Sequence, residues 1–222
     1  MLMSKNRLLA IVKDMDDPNM YEMNFGNHYF EYTAKNDMDV YIRRYYYPEE
    51  IDKNHIRSHM LMDAKVSNLI HTDVLLDFLT NEIDKNALSV CECIAFIWDE
   101  EDNISTTRQK LADDFGDEYA LYACEDTLGL TWTERQIILI NVGLIYQINN
   151  EIIYNDETDL LLGILSTIFH EFRHLLYECH ELLELGPDSY PYDGGEEIAV
   201  EDYGNSHAEK TYVRYTNLLI HP

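Results

Sequence analysis

Residues 160–185 read LLLGILSTIFHEFRHLLYECHELLEL, and this stretch decides the fold. Leu161, Leu165, Ile168, Phe169, Phe172, Leu175, Leu176 and Leu182 recur at three- and four-residue intervals, which gathers them on one broad face of an α-helix. Acids at 156–159 supply a helix start, and Gly186 and Pro187 supply the stop. A helix with so wide an apolar face is a packed core element. Inside it lies His170-Glu171-Phe172-Arg173-His174. Positions i and i+4 stack one turn apart, so both imidazoles project from one face and can share a tetrahedral zinc at about 2.0–2.1 Å. Glu171 stands about 100° round the helix from His170, too far to be a close ligand but within reach of a metal-activated water. Histidines buried on a core helix without partners cost desolvation free energy, and a zinc ion satisfies both.

Outward from this helix, a loop at 188–195 (DSYPYDGG) leads to a final helix over 196–217. On the N-terminal side, residues 135–147 (RQIILINVGLIYQ) open as an apolar β-branched strand and pass Gly143 into a bend or second strand. Leu111, Phe115, Tyr119, Tyr122 and Ala123 predict a helix over 107–128, interrupted at Gly116 and C-capped by Gly129. Residues 89–98, rich in Val, Ile and Phe, read as a strand, and 49–78 as one long or two short helices. Alternating stretches at 28–33 and 40–45 predict a hairpin or two ending at Pro48. The order implies an α+β chain. The length fits either one domain or two parts, an acidic, Tyr-rich N-terminal layer over 1–85 of unassigned role and a domain over 86–222 that carries the chemistry.

The chain of 222 residues has 42 Asp+Glu against 16 Lys+Arg, a formal charge of −26 and a pI near 4.4. Such a surface repels phosphate backbones, excludes direct nucleic-acid binding and favours cationic partners or peptides. With 46% hydrophobic residues and seventeen Tyr, it is foldable and not a solvating tail. The apolar stretch Leu8 to Val12 is too short for a signal sequence, and no run approaches a membrane span, so a cytoplasmic protein without membrane contact is expected. Cys91, Cys93, Cys124 and Cys179 include no CxxC pair and read as reduced, buried thiols. His55 and His59 lie four apart but have no acid between them in a base position and no evident third ligand.

Zinc needs a third protein ligand. His180 has the spacing of the metzincin motif HExxHxxGxxH, but Tyr177 replaces the glycine that turns the chain, and no Met follows Met62 to build the Met-turn beneath the site. The other candidates lie in residues 194–204, GGEEIAVEDYG. Here the sequence resembles the gluzincins, HExxH zinc metallopeptidases whose second helix supplies a Glu ligand and, four residues on, an acid or amide that orients a ligating His. It is most similar to short intracellular ImmA/IrrE-like proteases, with a tail pattern E-x-x-A-[DN]-x-[FY]-[AG]. The resemblance spans about residues 135–217. It implies Glu197 as ligand, Val200 in the small apolar place, Glu201 behind the ligands and Tyr203-Gly204 as the closing pair. Glu201 stands where Asp or Asn is usual, one methylene longer, which leaves the ligand open between Glu197 and Glu201; Glu196 is a weaker choice. The resemblance also implies a zincin-like arrangement, a small mixed sheet packed on the HExxH helix and a C-terminal helix, with residues 137–141 as the substrate-binding edge strand.

The expected activity is zinc-dependent peptide-bond hydrolysis by a cytoplasmic metalloendopeptidase acting on a peptide or protein substrate. Zn2+ would be held by His170, His174 and Glu197, with Glu171 as general base. Tyr203, His207 and Tyr212 are available to steady an oxyanion, Tyr203 foremost. The alternative is a non-catalytic zincin-like acidic protein that binds a basic partner or mimics DNA.

Overall fold

The computed structural model of the chain describes residues 20–25, 28–35, 39–99, 104–115, 127–151, 157–179 and 197–220. Three strands open it, β1 (Met20–Phe25), β2 (His28–Lys35) and β3 (Asp39–Tyr46), paired antiparallel with Met20 opposite Thr33 and His28 opposite Tyr46. A 3-10 turn at Pro48–Glu50 is followed by α1 (Lys53–Ser58), β4 (Met60–Met62), α2 (Ala64–Leu69), α3 (Thr72–Glu82), α4 (Lys85–Ser89) and β5 (Cys93–Ile97). Then come α5 (Thr106–Phe115), β6 (Gly129–Trp132), β7 (Ile137–Asn141), α6 (Val142–Glu151), α7 (Glu157–Glu178) and α8 (Glu197–Thr211), with a closing 3-10 turn at Tyr212–Tyr215. This is an α+β protein.

The second sheet has the order β4-β5-β7-β6, with β4, β5 and β7 parallel and β6 antiparallel at the edge. Parallel strands covered on both faces read as unbroken apolar runs, and CIAFI in β5 and IILIN in β7 are buried at every position. Alternation then sorts their side chains. Ile94, Phe96, Ile138 and Ile140 face the large core cluster, while Cys93, Ala95, Ile97, Ile137 and Leu139 meet Leu111 of α5 on the other face. Leu161, Ile164, Leu165, Ile168, Phe172 and Leu175 bring α7 onto the first face, each buried side chain contributing about 1.5–3 kcal/mol. Buried residues from Tyr46 to Leu219 belong to this one cluster, so chain on both sides of residue 85 shares a core. At the C-terminal ends of the parallel strands, Arg108 pairs with Asp99 at 2.5 Å, and Thr107 donates to Asp63 at 2.6 Å, which fixes α5. No helix among the described residues is long and apolar enough to cross a membrane.

Several elements depart from expectation. The helical stretch predicted over 49–78 is broken by β4, because Met60–Met62 pairs with Ile94–Phe96 and three short helices supply the helical spacing. The strand predicted over 89–98 is confined to Cys93–Ile97, with Ser89 ending α4. Gly129 starts β6 and caps no helix; the predicted helix is present as α5, and 116–126 lie outside the described residues. After β7 the chain turns directly into α6, not a second strand, since the Asn141 side chain accepts the Leu144 N–H at 3.1 Å and starts the helix. The final helix ends at Thr211 and tightens into 3-10 geometry. The predicted end of the long helix and the loop at 188–195 lie outside the described residues, as do His180, Glu196 and Cys124.

Candidate metal centre

The packing of α7 on the sheet leaves one helical stripe turned toward α8, and His170 and His174 stand on it. Their rings meet edge to face with centroids 4.7 Å apart, and the two Nε2 atoms are 3.1 Å apart. Glu197, the first residue of α8, brings Oε1 to 3.2 Å from His170 Nε2 and Oε2 to 3.2 Å from His174 Nε2. Two donors on a tetrahedral zinc at about 2.05 Å are about 3.3 Å apart, so the two imidazole nitrogens already have the spacing of a metal-ligand pair, and Glu197 lies against both through its two different oxygens. Among the described residues they are the one group of His, Cys, Asp and Glu whose ligand atoms converge, all within 4.8 Å. The imidazoles are about four-fifths buried, whereas Glu197 is 73% exposed, so the centre opens to solvent on the α8 side.

Electrostatics favours the ligand form of His170. Burial lowers its pKa, as does neighbouring His174, against the opposing charges of Glu197 and Glu201. A neutral imidazole presents its lone pair without first losing a proton.

The Glu171 carboxylate lies between His170 and β6, and the residue is 95% buried. The Thr131 hydroxyl lies 2.8 Å from both its main-chain oxygen and its Oε2, while its Oε1 is 4.0 Å from His170 Nε2. Burial pushes its carboxyl up to about 7, with the Thr131 hydrogen bond opposing and the Glu197 charge adding. That value suits a group that must accept and return a proton near neutrality. Strand β6 can pass this close because residue 129 is glycine. A Cβ there would lie 2.7 Å from Glu171 Cγ and 2.8 Å from its Cδ. The sequence does not single out Thr131, and it offers Gly129 only as a helix cap.

The other expected residues divide. Glu201 lines the same cavity as Glu197 one turn further along α8, but it is outside the converging set. Tyr203 is not brought to the centre. It lies about 240° round α8 from Glu197, with its ring under the Arg173 guanidinium at 4.4 Å and beside Phe169. His207 stacks on Tyr203 at 3.9 Å, and Tyr212 packs on the core, so neither reaches the centre. His55 and His59 stack on each other at 4.4 Å beside Tyr46, whose hydroxyl is 3.1 Å from both His59 Nε2 and Glu92 Oε2. Cys91, Cys93 and Cys179 are buried thiols outside any disulfide; burial raises Cys91 and pushes Cys93 up to about 12.

The edge strand is also reassigned. Residues 137–141 form β7, flanked by β5 and β6, so β6 is the sheet edge beside α7. A cavity of about 650 Å³ adjoins the centre, bounded by the segment entering β6, the N-terminal half of α7 and one face of α8. No family model, curated protein or solved structure matches this chain.

Proposed function

We propose that this protein is a zinc-dependent endopeptidase of the HExxH type, with a zincin-like arrangement of edge strand, motif helix and ligand-bearing C-terminal helix. One observation carries this reading. Two imidazoles and a carboxylate converge at 3.1–3.2 Å, with a second, buried carboxylate beside them that belongs to none of the three contacts. A structural hydrogen-bonded cluster has no need of Glu171, whose burial pushes it up to about 7. His170, His174 and Glu197 would hold the metal, and the donor set of two nitrogens and one carboxylate suits zinc with one position left open. Bound zinc supplies Lewis acidity toward a substrate carbonyl and lowers the pKa of water. Glu171 takes the proton of the attacking water and hands it to the leaving amine, and Thr131 keeps its carboxylate aimed during both transfers. The edge of β6, outermost in its sheet among the described residues, offers backbone groups to an extended peptide chain laid over Glu171.

The test is metal analysis of the purified protein together with cleavage of a broad peptide library. About one zinc per chain and turnover that disappears in Glu171→Gln, with the zinc retained, is the expected result. Zinc without turnover on any peptide would replace the peptidase by an acidic binding protein, and no zinc at all would remove both readings.

A further inference from the structure

The cavity beside the metal centre has more carboxylates than hydrolysis uses. It runs between α7 and α8, with Leu162, Gly163 and Ala208 on its apolar side and Ser166 donating to Asn205 Oδ1 at 2.6 Å on its wall. Among the described residues four carboxylates line it, Glu171, Glu197, Glu201 and Glu209. The first two belong to the metal centre. Glu201 and Glu209 are exposed, and among the described residues no Lys or Arg lines the cavity beside them.

At a rise of 1.5 Å per residue, Glu201 stands about 6 Å along α8 from Glu197 and Glu209 about 18 Å, so the cavity is an elongated groove that begins at the metal centre. An extended chain advances about 3.4 Å per residue, and the interval of about 12 Å between the two acids corresponds to about four substrate residues. A groove lined by charge of one sign over an apolar floor concentrates the opposite charge.

Resting on the peptidase reading, we propose that this groove selects basic substrates. Glu201 receives a lysine or arginine side chain close to the scissile bond, and Glu209 receives a second about four residues further along. The net charge of −26 draws such a segment toward the groove and repels acidic chains.

A peptide series tests this on the zinc-loaded protein, with arginine at each position replaced in turn by citrulline, which keeps the size and drops the charge. The expected result is a fall in kcat/KM of about tenfold at two positions about four residues apart, carried by KM and shrinking as salt is raised. Glu209→Gln should erase the charge preference at the distal position alone, and Glu201→Gln at the proximal one. Equal cleavage of arginine and citrulline peptides overturns the groove assignment and leaves the peptidase standing. Binding of the same peptides to Glu171→Gln, followed by fluorescence anisotropy, separates the opposite case. Charge-selective binding in a protein whose wild type cleaves nothing sustains the groove and sinks the peptidase.

Discussion

The Thr131 hydroxyl lies 2.8 Å from both the main-chain oxygen and the carboxylate of Glu171, tying the edge strand β6 to the motif helix α7 at the residue assigned as base. The bond joins positions forty apart in sequence. It holds a carboxylate that burial alone would leave free to turn. Replacing Thr131 by Val keeps the shape and removes the donor, so kcat should fall about tenfold to a hundredfold with zinc content unchanged. Thr131→Ser should restore most of the rate. Steady-state kinetics with metal analysis checks this, and a Val variant as fast as wild type would refute the positioning role.

The metal-free protein should show an inverted carboxylate effect on stability. Glu171 is pushed from its ordinary value of 4.5 up to about 7 in the fold. The folded state therefore holds a proton that the unfolded chain has released between those values. Its contribution is fully present below about pH 4.5 and is lost as pH rises through about 7, a change on the order of 3 kcal/mol. Glu171→Gln cannot ionise. In chelator, urea denaturation should find the variant gaining on wild type by that order between pH 5 and pH 8. A difference that stays constant with pH would mean that Glu171 is not desolvated as its burial indicates.

What the sequence made legible follows the reach of local geometry. His170, Glu171 and His174 could be placed because their relation is set within one helical turn, and helical periodicity identified α7 from residues 160–176 alone. Glu197 came from a resemblance in the acidic pattern of 194–204, and its carboxylate does meet both imidazoles. Thr131 and Gly129 were invisible, since nothing local announces that a four-residue edge strand will cross a helix forty residues later. Gly129 instead suggested a helix cap, because a glycine has the same letter whether it frees φ or vacates space. Tyr203 was misplaced for a simpler reason. Six residues from Glu197 is the wrong helical phase, whereas Glu201 and Asn205 return to the groove. The strands β5 and β7 were readable as apolar runs, but their neighbours in the sheet were not, and so the edge was assigned to β7 when it belongs to β6.

Zinc removal should cost stability as well as activity. A ligand held only by the folded state at a hundred times its Kd stabilises by about 2.7 kcal/mol. For a chain of this size that corresponds to a Tm higher by about 5–10 °C. His174→Ala should abolish the zinc-dependent part of the shift while leaving the Tm in chelator close to that of wild type, since the ring is partly exposed. Differential scanning calorimetry with and without zinc measures both. An identical zinc shift in His174→Ala would place the metal elsewhere.

The convergence of ligands from two helices depends on how closely α7 and α8 approach, and Gly204 sets that distance. A Cβ at residue 204 would lie 2.8 Å from the Ser166 main-chain oxygen and 3.3 Å from His170 Cβ, neither of which can swing aside as a side-chain tip would. Gly204→Ala must therefore push α8 outward, two turns from Glu197 on the same helix. Overpacking of this kind destabilises by about 1–3 kcal/mol, against which the better helix propensity of Ala returns about 1 kcal/mol. The effect on the metal should be larger than the effect on the fold. A shift of a few tenths of an ångström at residue 204 moves the Glu197 carboxylate relative to two imidazoles fixed on α7, so zinc affinity should fall about tenfold or more while secondary structure stays intact. Competition titration with a chromophoric chelator gives the affinity and circular dichroism the fold. Wild-type affinity in Gly204→Ala would show that Glu197 reaches the metal by adjusting its own side chain, independent of the spacing between the helices.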